Sequence, residues 1–490
     1  MRDFLCVGCL FGLTALLSAA GCRFVLPISD VEEPDLTCGN GTLDPEEGCD
    51  PGAAGDPGCD TSCHVLEGWD CAGSPSVCAP NCGDGLVVAE GECEGQVPEG
   101  VTCESTGHGN GTLSCAADCR LDYSGCIRVM EVGAGADHSC ARLSSGRVAC
   151  WGANRDGQVG DGTTTERLTA VLTRDLEGAA GITLGDGVSC APFDPQGEGA
   201  PGLACWGDNR RGQLALGPEG PGTSNVPVPV PWFDEPTFEA APTISGLSGH
   251  LCAAVSDGTA ACWGANDAGQ IGDGQPGRDA AEPVVVAGLE DVVAVCAGVD
   301  HSCALLDDAG GGLVMCWGGN DHGQLGDGTL EAKTAPVAVA GRYRSISCGE
   351  AFTCAITVDG ELVCWGSDGD GRLGIGGAGD SPDPVSVVLP VAAAQIACGL
   401  AHACARLEDG SVQCWGRNWD GQLGDGTNGE RKTPVPVSGL AEVDFVSAGH
   451  THTCAAVDGS AWCWGANDAG QLGDGTHRPG TSTPQIVLFE

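Results

Sequence analysis

The sequence predicts an all-β protein: a seven-bladed β-propeller preceded by two small disulfide-rich modules. Three observations predict it. The tripeptide Cys-Trp-Gly recurs at Cys150, Cys205, Cys262, Cys316, Cys364, Cys414 and Cys463, at intervals of 48 to 57 residues. Self-similarity at about 50 residues is the mark of propeller blades and similar arrays. Glycine supplies 82 of 490 residues and aromatics only 4%, which is poor material for long helices and good material for short strands joined by tight turns. Cysteine supplies 32 residues, a usage that points to an oxidising compartment.

The chain opens with Arg2 and runs apolar from Phe4 to Ala20, longer than the usual core of an export signal and shorter than a membrane span. It then reads Ser18-Ala19-Ala20-Gly21-Cys22. Small residues directly before a Cys resemble a bacterial lipobox. The resemblance implies a signal peptide over 1–21 and a lipid on Cys22, hence a lipoprotein of the bacterial cell envelope. The alternative is plain cleavage near Ala20, giving a soluble extracellular protein. Cys6 and Cys9 leave with the signal either way. Residues 22–37, with Pro27 and Pro34, read as a tether.

Residues 38–80 contain Cys38, Cys49, Cys59, Cys63, Cys71 and Cys78; residues 81–126 contain Cys82, Cys93, Cys103, Cys115, Cys119 and Cys126. Units of about 45 residues are too small to be held by burial alone, so disulfides are expected. Six cysteines allow fifteen connectivities, and the spacing leaves the choice open. Zinc at Cys59 and Cys63, or at Cys115 and Cys119, is the weaker reading in an exported chain. The acidic run Asp44, Glu46, Glu47, Asp50 lacks a calcium loop with its distal Glu and reads as a solvated face. CGNGTLDPEEGCD and GCDTSCHVLEGWDC resemble a Cys-rich repeat of bacterial extracellular proteins; CGDGLVVAEGEC and the stretch after it resemble a second copy.

Over 127–490 each unit repeats one plan. An apolar strand leads to Gly and then His-x-Cys, as in Gly135-Ala136-Asp137-His138-Ser139-Cys140. A second strand reaches a turn such as Ser256-Asp257-Gly258, and a third ends in Cys-Trp-Gly. A polar loop of the form N-x-x-G-Q-L-G-D-G-T follows, and a Pro-led strand such as Thr433-Pro434-Val435-Pro436-Val437 closes the unit. Four strands in each of seven units make a seven-bladed propeller. Gly, Asn and Asp supply the corners that other side chains resist, and the Trp of each Cys-Trp-Gly is expected to pack between blades. Because the repeat begins without a Pro-led strand and ends with one, Thr483 to Leu488 is expected to complete the first blade and lock the ring.

QLGDGT at 324–329, 422–427 and 471–476 carries a family resemblance over 127–490. The repeats resemble the regulator-of-chromosome-condensation family of seven-bladed propellers. That resemblance implies binding roles: nucleotide exchange on a small GTPase, chromatin docking or, in secreted bacterial relatives, inhibition of β-lactamases.

The two cysteines of each unit flank a hairpin turn whose length sets them opposite one another. Seven disulfides are expected: Cys140–Cys150, Cys190–Cys205, Cys252–Cys262, Cys303–Cys316, Cys354–Cys364, Cys404–Cys414 and Cys454–Cys463. Cys348 and Cys398, each directly before a Gly at matching places in adjacent units, suggest a bridge between blades. Cys296 is then the odd thiol.

The net charge of −46 repels phosphate backbones and argues against nucleic acid. No phosphate loop, H-E-x-x-H or G-x-S-x-G is present. His138, His250, His301, His402 and His452 recur at His-x-Cys, but Val188 and Phe352 replace them in two units, which suits packing better than metal ligation. The Asp of GDGT recurs because the turn recurs. The residue at the tip of the post-Trp loop varies instead: Arg155, Arg210, Asp267, Asp321, Gly369, Trp419 and Asp468. Trp419, Arg155 and Arg210 are therefore binding candidates, joined by Trp232 from the long connection of unit two, since Trp and Arg dominate hot spots. The expected function is a non-enzymatic, monomeric scaffold, without cofactor, metal or catalytic residues. Its partner is an unidentified protein or envelope glycan, and it touches membrane through a lipid anchor alone. The alternatives are a polysaccharide hydrolase or lyase at the propeller mouth and the exchange activity implied by the resemblance.

Overall fold

The computed structural model describes residues 125–490 apart from 195–201, 234–242, 309–310 and 378, together with separate stretches between 49 and 122. The predicted signal, Cys22, the tether, Cys38, Cys82 and Cys119 lie outside the described residues. The chain divides into two compact units: Met1–Gly95 with Ala116–Arg120, and Gln96–Cys115 with Leu121–Glu490. In the first, strands Trp69–Gly73 and Ser76–Pro80 pair with Cys71 opposite Cys78, and disulfides join Cys71 to Cys78 and Cys49 to Cys59. In the second, Cys103 is bonded to Cys126. The division therefore runs through the second predicted module, not along its end.

The second unit carries seven four-stranded antiparallel sheets. Blade 1 is Val129–Ala134, His138–Leu143, Val148–Gly152 and Arg167–Leu172. Blade 2 is Thr183–Leu184, Val188–Phe193, Gly202–Asp208 and Thr223–Pro229, and blade 3 is Thr243–Ser245, His250–Ala254, Ala260–Gly264 and Ala280–Val285. Blade 4 is Val292–Ala297, His301–Leu306, Leu313–Gly318 and Lys333–Ala338. Blade 5 is Tyr343–Cys348, Phe352–Thr357, Leu362–Gly366 and Ser381–Val387. Blades 6 and 7 are Ala393–Cys398, His402–Leu407, Val412–Gly416, Arg431–Pro436 and Val443–Ala448, His452–Val457, Ser460–Gly465, Thr481–Ile486. First strands of neighbouring blades adjoin around the ring. Each sheet is a meander, so the loops after the first and third strands emerge together, on what we call the upper face.

Burial follows from this geometry. Second and third strands lie between neighbouring blades and are buried along almost their whole length, because both sheet faces are covered. Seven apolar clusters result, each shared by two consecutive blades. All seven Trp of Cys-Trp-Gly are completely buried. The hairpin registers place the predicted cysteines directly opposite one another, and each pair is bonded within its blade.

Two expectations fail. The last strand, Thr481–Ile486, pairs with Ser460–Gly465 in its own blade, so it does not complete the first. Blade 1 supplies its own fourth strand, and only the tail reaches across: the Ala170 and Glu490 amides donate to Leu488 and Ala170 carbonyls, beside a parallel bridge from Ala170 to Phe489. The inter-blade disulfide also differs. Cys296 bonds Cys348, joining blades 4 and 5, while Cys398 is a buried free thiol that burial pushes up to about 12. Cys296 stands one residue before the end of its strand. At the equivalent place in three other blades a Ser hydroxyl accepts from the next blade's amide: Ser245 from Ala297, Ser347 from Cys398 and Ser447 from Ala134. The disulfide occupies the seam position of a hydrogen bond.

Candidate functional site

The repeated phrase builds the joints between blades. The carbonyl of Gln158 in blade 1 accepts from Trp206 Nε1 at 2.8 Å and from the Ser189 hydroxyl at 2.9 Å, both in blade 2. His138 Nε2 meets that hydroxyl at 2.8 Å. Since the hydroxyl donates its only proton to the carbonyl, His138 must donate from Nε2, which leaves Nδ1 without a proton. The same clasp joins His250 to Ser302, His301 to Thr353, His402 to Thr453 and His452 to Ser139. All five Nδ1 atoms are buried without a hydrogen-bond partner. Burial lowers His138, His301, His402 and His452 to about 3 and His250 to about 4, so they are neutral at pH 7. Four of the rings lie on the glycine that starts their loop: a Cβ on Gly135 would sit 2.8 Å from His138 Nδ1, and Cβ atoms on Gly298, Gly399 and Gly449 would meet the rings of His301, His402 and His452.

The two units without histidine explain themselves. Val188 of blade 2 faces Leu251 of blade 3, and Phe352 of blade 5 faces Ala403 of blade 6, each within one apolar cluster. Wherever the histidine is missing, the hydroxyl one blade later is missing too. Only the Trp bond persists at every joint, using the Arg372 carbonyl where Gln is replaced. This pairing was readable in the seven aligned units but needed the comparison of each His with the following repeat. The loop Asn is likewise structural. Asn154 Oδ1 accepts the Val159 amide, while its Nδ2 donates to the carbonyls of Thr163 and Thr165. Asp161 accepts the amide and hydroxyl of Thr163.

The upper end of the central channel is drawn together by main-chain bonds between loops. His450 donates its amide to Gly135, Leu400 to Gly449, Glu350 to Leu400, Val299 to Glu350 and Ala136 to Gly185. His450 Nε2 reaches across the ring to the Leu247 carbonyl at 3.1 Å. Below lies a cavity of about 200 Å³ lined by the inner strands.

Around that closed mouth the four predicted binding residues part company. Trp419, Arg155 and Arg210 stand on upper-face loops. Trp419 is 62% exposed, with the Arg417 guanidinium 4.7 Å from its ring centre; Arg417 is in turn paired with Asp370 at 2.9 Å. Arg210 is engaged by Asp208 at 2.7 Å and Asp156 at 3.3 Å. Arg155 is exposed beside a cleft of about 620 Å³ lined also by Asp137, Asp156, Glu166, Asp186 and Asp468. Trp232 follows the fourth strand of blade 2 and so leaves from the opposite face. It is half-buried, edge-on to the buried Phe233 at 4.8 Å, and Phe233 in turn meets Trp263. It belongs to packing, not to the upper-face group.

What the single sequence did not reveal is the carboxylates gathered around the mouth. Desolvation raises Asp137, and Asp186 and Asp468 raise it further while His450 and Arg155 lower it. Desolvation also raises Asp300, with Asp267, Asp321 and Glu350 adding to it and Arg211 opposing. Asp420 is raised by desolvation and by Asp468, against Arg417.

With this geometry in hand, comparison with known proteins is informative. Residues 248–489 match the RCC1-like domain and residues 131–158 the regulator of chromosome condensation (RCC1) repeat. The E3 ubiquitin-protein ligase HERC2 of Homo sapiens is 30% identical over 260 residues, 51% of this chain and 5% of that protein. The secretion-regulating guanine nucleotide exchange factor of Bos taurus is 34% identical over 227 residues, 45% of this chain and 46% of that one. The chain thus spans half or less of these relatives. Among solved structures, Prp20p of Saccharomyces cerevisiae superposes with a TM-score of 0.60 at 20% identity, covering 74% of this chain and 87% of that one. At that identity the likeness concerns fold.

Proposed function

The chain belongs to the RCC1-repeat propellers, and on that footing we propose that it is a non-enzymatic, exported scaffold that binds another macromolecule through its upper-face loops. One observation carries the reading: the repeat's constant residues are consumed by the blade joints, whereas the varying loop tips are exposed, and one of them is Trp419 at 62% exposure. A large aromatic held outward on a rigid support is the form of an interface anchor. Export is supported by the disulfide in every blade, a pattern at home in an oxidising compartment. A lipid on Cys22 would hold the protein on a bacterial envelope.

The test is capture from envelope and medium fractions by the full oxidised chain and by its Trp419→Ala variant. A partner retained by the first and lost by the second, with unchanged melting, supports the reading. Equal capture by both, or cleavage of an envelope polysaccharide by the chain alone, overturns it. A second reading, guanine-nucleotide exchange, is favoured by the 34% identity to the bovine exchange factor. It is tested by nucleotide release from a small GTPase, which the scaffold reading expects to be unaffected.

A further inference from the structure

We infer that the upper face docks an extended lysine- and arginine-rich polypeptide segment, running from Trp419 over an arc of carboxylates into the cleft beside Arg155. This rests on the scaffold reading and names the partner's chemistry.

The arc is Asp420, Asp468, Asp137 and Asp186, carried by blades 6, 7, 1 and 2 in turn. These groups feel one another: Asp468 acts on both Asp420 and Asp137, and Asp186 acts on Asp137. None of the four enters an ion pair among the described residues, whereas most arginines of the same face are engaged elsewhere. Arg210 is held by Asp208 and Asp156, Arg211 by Asp267 and Asp279, Arg372 by Glu350 and Asp370, and Arg417 by Asp370. Only His450 and Arg155 ease Asp137, and only Arg417 eases Asp420. The face therefore keeps a row of carboxylates that form no ion pair among the described residues, with Arg155 and His450 beside Asp137 and Arg417 beside Asp420 as its nearby cations.

The row has two ends of different chemistry. At one, Trp419 rests against Arg417 and presents the rest of its ring to solvent. An indole face takes a second cation or the aliphatic stem of a lysine. At the other, the cleft of about 620 Å³ is lined by Asp137, Asp156, Glu166, Asp186 and Asp468 beside Arg155, with Asp156 engaged by Arg210 and Glu166 by His477. Charge complementarity selects the occupant. Phosphate backbones and acidic glycans are repelled, and a neutral glycan leaves the carboxylates uncompensated. A basic segment satisfies the anchor, the row and the cleft together. Its extended form follows from the row's course over four blades.

The experiment measures binding of a fluorescein-labelled oligolysine of about ten residues to the full oxidised chain by fluorescence anisotropy. Because the chain holds 67 Asp and Glu against 21 Lys and Arg, a charge-matched control is essential. Asp137→Asn with Asp468→Asn is expected to weaken binding about 10-fold, the scale for removing interfacial charges. Trp419→Ala should weaken it about 5-fold. Asp359→Asn with Glu361→Gln, which neutralises two carboxylates of a lower-face hairpin, should leave it unchanged. If the two double variants lose affinity equally, binding is diffuse and the inference falls. If a Trp419-dependent partner is captured yet excess oligolysine does not displace it, the scaffold reading stands and the basic-segment inference is overturned.

Discussion

Blades 1, 3, 4, 6 and 7 join the next blade through a buried imidazole and a hydroxyl, whereas blades 2 and 5 do so through Val188 on Leu251 and Phe352 on Ala403. The Trp-to-carbonyl bond is common to both kinds. The difference teaches that the clasp is a two-residue unit divided between neighbouring repeats, and that both halves are replaced together. A half clasp would leave a buried polar group unmatched, which costs more than having none.

Acid separates the two kinds of joint most strongly. The five clasp imidazoles have folded values of about 3 to 4, below the 6.5 of the unfolded chain. The unfolded state therefore binds protons first as pH falls. Their stabilisation is fully present above about pH 6.5 and drains away towards pH 4, by up to about 1.4 kcal/mol per imidazole per pH unit. Calorimetric melting from pH 7 to pH 5 should show a steep fall. The variant His301→Phe with Thr353→Ala, which turns one clasp into the apolar kind, should show a shallower one. Parallel slopes would remove the imidazoles as the cause.

Next in size is the reverse exchange at a single joint. Phe352→His places an imidazole against Ala403, close to the Arg372 guanidinium that now lies over the Phe352 ring at 5.9 Å. Loss of packing and an unmatched donor should cost about 3–5 kcal/mol. Adding Ala403→Ser should recover about 1 kcal/mol, read from denaturant midpoints. No recovery would show that the clasp is not transferable between joints.

The smallest effect separates conformation from contact. Gly160 and Gly426 both have positive φ, 76° and 81°. A Cβ on Gly160 would lie 2.7 Å from Trp206 Nε1, while nothing lies within 4 Å of one on Gly426. Gly426→Ala should cost about 1–2 kcal/mol from backbone strain alone. Gly160→Ala should cost more, and its excess should vanish in a Trp206→Phe background.

Much of this was legible beforehand. The blade count came from the Cys-Trp-Gly spacing, and the seven in-blade disulfides from hairpin lengths. The burial of the seven Trp came from their place at the end of each third strand. Val188 and Phe352 pointed to a packing role for the histidine position, yet the hydroxyl partners went unseen, because Ser189 lies 51 residues from His138. Trp419 was visible as an exception in its column. Trp232 was grouped with it as an aromatic in a loop, and only the meander's direction puts the two on opposite faces.

By itself, then, the sequence determined what turns and strands settle within one repeat: strand order, cysteine partners nine to fifteen residues apart, and a tryptophan pointing between sheets. The closed ring decided the rest. It gave the final strand to the seventh blade, chose Cys296 over Cys398 as the partner of Cys348, matched each imidazole to the next hydroxyl, and brought Asp420, Asp468, Asp137 and Asp186 into one row. The reason is physical. Hairpin register is a local property of loop length, but contacts between blades join residues about 50 or more than 300 positions apart, and no local rule constrains those until the ring closes.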